Sequence, residues 1–186
     1  MRVTITLLSY DHGILRQVLD VVYDMAAGGI FDQHKDIMPE VADFFLKFMD
    51  RYHHGKEERF VFPVASDGPD RIKAMIPDLI ADHRKARSFA DAIAANVSSW
   101  NPGPLAQNCL DLVVHMREHI KEEEDFVFPA IENLMDSDRD LALFDQAQTF
   151  VRQDFGEDYP QKMEEFANRL QAQVWGKGVI KYPISR

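Results

Sequence analysis

The sequence predicts an all-α chain: an antiparallel up-down four-helix bundle with additional helices at its C-terminal end. Apolar residues recur at helical spacing along nearly the whole chain, and no segment carries the two-residue period of a strand. Breaks rich in Gly, Pro and Asp separate the periodic segments, and short connections favour antiparallel neighbours. One stretch also occurs twice. His53-His54-Gly55-Lys56-Glu57-Glu58-Arg59-Phe60-Val61-Phe62-Pro63 is echoed by His119-Ile120-Lys121-Glu122-Glu123-Glu124-Asp125-Phe126-Val127-Phe128-Pro129.

The first helix is expected from Ser9 to Ala27, where Leu8, His12, Leu15 and Leu19 share a stripe and Gly28-Gly29 supplies the stop. The second starts near Pro39, a favourable first-turn residue, and runs to Phe62. Its inward face carries Ala42, Phe45, Leu46, Met49, His53, Glu57 and Phe60. At the ordinary rotation of about 100° per residue, His54 falls on the polar face with Lys47, Asp50, Arg51 and Glu58. A third helix is expected over Arg71–Ser98, with Ile76, Leu79, Ile80, His83, Ala86 and Ala90 inward and Pro77 marking a later start or a kink. The fourth spans Leu105–Phe128, with Leu112, His115, Met116, His119, Glu123 and Phe126 on one face. Helical segments over Arg139–Gln153 and Asp158–Val174 come next, then a short irregular tail from Gly176 to Pro183. The expected organisation is a bundle over 1–135 and an extension over 136–186 that packs on the bundle or forms a homodimer interface.

Composition narrows the function classes. A net charge of -10 argues against nucleic acid or an anionic membrane as main partner. The single Cys109 excludes an internal disulfide framework and suits a reducing cytoplasm. No apolar stretch approaches the ~20 residues of a membrane helix, and the N-terminal run is short for a signal peptide.

The histidines carry the chemistry. His and Glu four residues apart on a helix lie on one face, with Cβ atoms roughly 6 Å apart, so imidazole and carboxylate can converge on one cation. Asp11-His12-Gly13-Ile14-Leu15-Arg16 resembles Asp82-His83-Arg84-Lys85-Ala86-Arg87, and each precedes one copy of the long repeat. The chain therefore reads as an internal duplication about a pseudo-two-fold axis. His12, His53, His83 and His119 each lie on the apolar stripe of a different helix, and Glu57 and Glu123 come one turn after two of them. Burying two carboxylates without a cation costs several kcal/mol per group or forces their protonation. Four imidazoles and two carboxylates exceed the needs of one tetrahedral zinc, and the mixed N/O set suits iron or manganese better than calcium or magnesium. Symmetry then assigns two His to each of two metals, with Glu57 and Glu123 bridging. Which two serve which metal is left open.

These motifs are similar to those of the hemerythrin-like family of cation-binding four-helix bundles. The resemblance covers Ser9 to Pro129 and implies His12, His53, Glu57, His83, His119 and Glu123 as metal ligands. It also implies two non-haem iron ions, oxo- or hydroxo-bridged, for which manganese or zinc could substitute. Oxygen-carrying members have a fifth His one turn from the third-helix His, where this chain has Leu79 and Arg87. They also pair the fourth-helix His with an Asp five residues on, where this chain has Glu123 at four. The four-His, two-Glu set is more similar to the branch that repairs iron–sulfur centres, whose members usually add a Cys-containing N-terminal domain. His115, Glu58, Glu124 and His54 are additional or supporting candidates; Asp11 and Asp82 could orient helices or imidazoles or be surface charges, and Arg16 and Arg87 could pair with inward carboxylates or form simple salt bridges. With the cytoplasmic location that Cys109 suits, the resemblance implies a protein that binds or reacts with O2, NO or peroxide, or handles iron under stress, with an electron donor or iron acceptor unnamed. Iron donation to damaged clusters, or a metal that merely staples the helices, are the alternatives. Turnover would mark an enzyme, reversible spectra a binding module.

Overall fold

The computed structural model describes residues 2–179 and 181, and within these it is helical without strands. Helix α1 spans Val3–Gly28, and α2 spans Met38–Phe44. Helix α2 runs on without interruption through the π-helical segments Phe45–His54 and Glu57–Val61 into a 3-10 turn over Phe62–Asp67. Helix α3 spans Asp70–Ser99 and α4 Pro102–Glu122, the latter extended by a π-helical segment, Glu123–Val127, and by α5, Phe128–Asn133. Helices α6 (Ser137–Asp154) and α7 (Tyr159–Trp175) complete the chain. Of the expected irregular tail, Ile180, Tyr182 and Pro183 lie outside the described residues.

Helix α1 packs on α4, α4 on α3, α3 on the α2 rod, and that rod closes back on α1. This ring is the four-helix bundle. Both α6 and α7 lie against α1. Buried apolar residues form two clusters. The larger includes Leu15, Leu19, Phe45, Met49, Ile93 and Leu112; the smaller includes Ile5, Leu8, Val61, Phe62, Leu79, Val127 and Phe128. On α1, His12 sits between Leu8 of one cluster and Leu15 of the other, so a polar layer crosses the bundle where the clusters part. Met25, Met38, Met49 and Met116 are fully buried core residues, as gap-filling thioethers should be.

Three boundaries differ from expectation for physical reasons. Helix α1 begins six residues before Ser9 because the Asp140 carboxylate of α6 accepts hydrogen bonds from Val3 N (2.8 Å) and Thr4 N (3.1 Å). An N-cap is ordinarily local; this one comes from 136 residues along the chain. Pro77 neither delays nor ends α3, which begins at Asp70. The first helix does stop at the glycines, with Gly29 left-handed at φ 62° and its N–H on the Ala26 carbonyl.

The largest correction concerns helical phase. A π-helix bonds i to i+5, which puts an extra residue into the turn and rotates every later side chain about the axis. In the Phe45–His54 segment this brings His53 and His54 both inward, each 0% exposed, and buries Asp50. The assignment of His54 and Asp50 to a polar face is therefore wrong. Phe126, expected inward, is 47% exposed, and Val127 and Phe128 are buried in its stead. Phe60, also expected inward, is half-buried.

Candidate metal centre

Four helices bring the sequence-predicted set together. The Nε2 atoms of His12, His53, His83 and His119 all face the carboxylates of Glu57 and Glu123. Glu57 Oε1 lies 3.4 Å from His53 Nε2 and 3.9 Å from His12 Nε2, while its Oε2 lies 3.5 Å from His83 Nε2. Glu123 Oε2 is 3.3 Å from His12 Nε2 and 3.4 Å from His119 Nε2. Each carboxylate thus reaches imidazoles of both halves, which is the placement a bridging ligand needs. Donor atoms converge in two groups, one of His12, His53, Glu57 and Glu123, the other of His54, Glu57, His83 and His119. In this geometry His12 lies with His53, and His83 with His119. His54 joins the second pair as a fifth inward imidazole, from the second helix rather than the third.

Behind the imidazoles stands a layer of carboxylates. His12 Nδ1 donates to Glu124 Oε1 at 2.9 Å, and Arg16 holds that carboxylate with two further bonds. His83 Nδ1 donates to Glu58 Oε1 at 2.9 Å. His53 Nδ1 lies 3.4 Å from Asp11 Oδ2, which also accepts from the Lys56 ammonium. His119 Nδ1 and His54 Nδ1 face Asp82 and Asp50 at 3.8 and 3.9 Å, distances longer than a hydrogen bond. An imidazole that donates through Nδ1 presents a lone pair at Nε2, so this layer aims the inward nitrogens as acceptors. Glu58 and Glu124, Asp11 and Asp82 thus stand behind imidazoles of the centre. Arg16 pairs with a carboxylate of that layer, and Arg87 with Asp50 through Nε at 2.8 Å. His115 points elsewhere, its Nε2 donating to the Asp82 carbonyl at 2.9 Å.

The duplication explains the Phe-Val-Phe-Pro copies. Phe128 stacks on His12 with ring centroids 5.3 Å apart, and Phe62 stacks on His83 at 5.5 Å. Each repeat's second Phe lids an imidazole of the other repeat. Symmetry breaks on the second helix, where His54 stands opposite Ile120 and Lys56 opposite Glu122 in the aligned copies.

Does this cage fit a metal? The donors buried in it have few partners of their own. His12 Nε2, His53 Nε2, both nitrogens of His54 and all four oxygens of Glu57 and Glu123 are buried without a hydrogen bond. His83 Nε2 and His119 Nε2 approach to 3.1 Å, although Glu58 already takes the Nδ1 proton of His83. Buried polar groups in native proteins are nearly always paired, so such a concentration of lone pairs matches a cation-binding cage. Electrostatics agree. Burial pushes Glu57 and Glu123 well above the usual carboxylate range, and mutual repulsion adds to the shift at Glu123. Burial and neighbouring imidazoles hold His53 and His54 well below their ordinary value, and burial lowers His83 to about 4. Burial alone would raise Glu124, but its bonds from His12 and Arg16 win and set it at about 2. Neutral imidazoles around two carboxylates are what a divalent cation requires.

Fold and centre together mark a four-helix cation-binding bundle. The chain belongs to the hemerythrin family: residues 3–131 match the hemerythrin HHE cation binding domain. It is 25% identical over 162 residues to an uncharacterized protein of Mycobacterium tuberculosis and, to the same degree, to one of Mycobacterium bovis. Each alignment covers 81% of this chain and 62% of the relative's length. No solved structure matches the chain. Among the described residues, no helix is long and apolar enough to cross a membrane.

Proposed function

We propose that this chain holds two iron ions and uses them to bind a neutral diatomic or a peroxide. His12 and His53 would hold one ion, His54, His83 and His119 the other, with Glu57 and Glu123 between them. The observation that carries the reading is burial: six of these seven side chains are 0% exposed and His119 is 2%. Only a species of a few atoms can be served by donors so enclosed, which favours a diatomic or a peroxide over any larger substrate. The mixed nitrogen and oxygen set favours iron or manganese over calcium or magnesium. When bound, iron would supply a redox-active Lewis acid able to interact with such a small ligand.

The chain's own residues do the rest. Glu124, Glu58 and Asp11 fix imidazole tautomer and orientation, and Arg16 and Lys56 hold two of those carboxylates in place. Phe128 and Phe62 keep water from the imidazole faces. In this reading residues 1–135 are the metal-holding unit, α6 and α7 brace α1 from outside, and the protein works in a reducing cytoplasm.

Ferrous reconstitution tests the reading. The desalted protein should retain about two irons per chain, the stoichiometry its two donor groups imply. Its oxidised form should show near-ultraviolet absorption of a coupled ferric pair that bleaches on reduction. The reduced form should change spectrum on exposure to NO. Retention of a single zinc, with no redox-active iron, would leave a purely structural metal as the better account.

A further inference from the structure

We infer that a small apolar cavity walled by α6 is the entry by which a neutral diatomic reaches the His12/His53 half of the centre. This rests on the functional reading above and names the route that reading lacks. The cavity has a volume of about 20 Å³ and lies between α1, the Glu57–Val61 segment and α6. Leu7 and Phe144 are half-buried and form its outer part, whereas Leu8 and Val61, 2% and 1% exposed, form its floor. Leu8 precedes His12 by one turn on α1, and Val61 lies one turn beyond Glu57, so each shares a helix face with a residue of the centre. Lys56, also in the wall, bonds the Asp11 that stands behind His53.

Size and chemistry choose the occupant. The volume exceeds the roughly 10–15 Å³ that a single water needs, but a water also needs two or more polar partners. The polar groups of the wall are already engaged. Thr4 Oγ1 donates to the Asp140 carbonyl at 3.2 Å, and the Lys56 ammonium is held by Asp11 and lies 3.9 Å from the centre of the Tyr52 ring. Apolar cavities of this kind stay dry and take up small neutral guests. A charged or larger ligand finds neither solvation nor room. Helix α6 lies beyond residues 3–131, so this wall is an addition to the family bundle. It gives the C-terminal extension a task beyond bracing, as the outer side of a gas port.

The test uses the full chain with Ala147→Phe, which places a ring into the cavity from α6, where Ala147 is 8% exposed. Xenon, a neutral apolar probe, is followed by 129Xe NMR on the metal-free protein, and NO binding to the ferrous-loaded protein by stopped flow. The parent should bind xenon and the variant should not. In the variant, iron content should be unchanged, NO association about tenfold slower and the NO equilibrium nearly unaltered. Phe144→Ala, which widens the outer part, should speed association and covers the case in which the Phe variant fails to fold. Parental NO rates in a variant that has lost xenon binding would overturn the port, as would absence of xenon binding in the parent. If the parent binds xenon yet its loaded form gives no adduct with NO, the functional reading fails and the port falls with it.

Discussion

Replacing both Glu57 and Glu123 with Gln removes the two charges at the middle of the cage while keeping nearly the same shape. In the metal-free parent, four carboxylate oxygens sit at 0% exposure with no hydrogen bond. Desolvation of each ionised group costs several kcal/mol, which is why burial drives both toward the protonated form. A cation offsets that cost and binds the folded state far better than the unfolded chain. At a thousandfold excess over Kd the linkage stabilises by about 4 kcal/mol. For a chain of this size 1 kcal/mol moves Tm by about 2–4 °C, so anaerobic ferrous iron should raise the parent's Tm by roughly 8–16 °C. The double Gln variant should show less than about a quarter of that rise, and its metal-free form should melt at or above the parent's Tm. Differential scanning calorimetry with and without ferrous iron reads both quantities. A variant that kept the full iron-induced rise would refute the bridging placement of Glu57 and Glu123, whatever its iron-free Tm.

The geometry sets further expected outcomes. His54→Ala should retain about one iron per chain rather than two by elemental analysis, because His54 shares a donor group with His83 and His119. His115→Ala should keep both and lose only about 1 kcal/mol of stability, the worth of its bond to the Asp82 carbonyl. The metal-free protein should also have a stability maximum between about pH 6 and 7. His12, His53, His54 and His83 have lowered folded values, so the unfolded chain binds more of their protons and stability rises with pH up to about 6.5. Glu57 and Glu123 have raised folded values, so the folded state binds their protons and stability falls as pH rises past the unfolded value near 4.3. Four imidazoles outweigh two carboxylates below pH 6.5, and above it only the falling limb remains. Urea denaturation across pH 5–9 would show it, and a profile still rising at pH 8 would contradict the raised carboxylates.

Much of this protein is written along its chain. Apolar spacing and Gly-Pro breaks are local signals, and they set four bundle helices and two more in order. The duplication is also a property of sequence, and from it came four inward imidazoles and the two carboxylates between them. Inferences that needed backbone phase or distant partners failed. Counting at 100° per residue put His54 on the surface; a π-helical turn buried it, and no local propensity announces such a turn before the packing that imposes it. A separate π-helical segment, Glu123–Val127, leaves Phe126 exposed, and Phe128 just after it stacks on His12. Only the folded bundle could choose which carboxylate stands behind which imidazole, since Glu124 meets His12 across 112 residues and Glu58 meets His83 across 25. The early start of α1 belongs to tertiary structure as well, because its cap is a carboxylate on α6. Helix, stripe and repeat are short-range and additive, and so legible in one dimension. Register, capping across the chain and the closing of a cavity depend on which surfaces meet, and that is decided only when the chain packs.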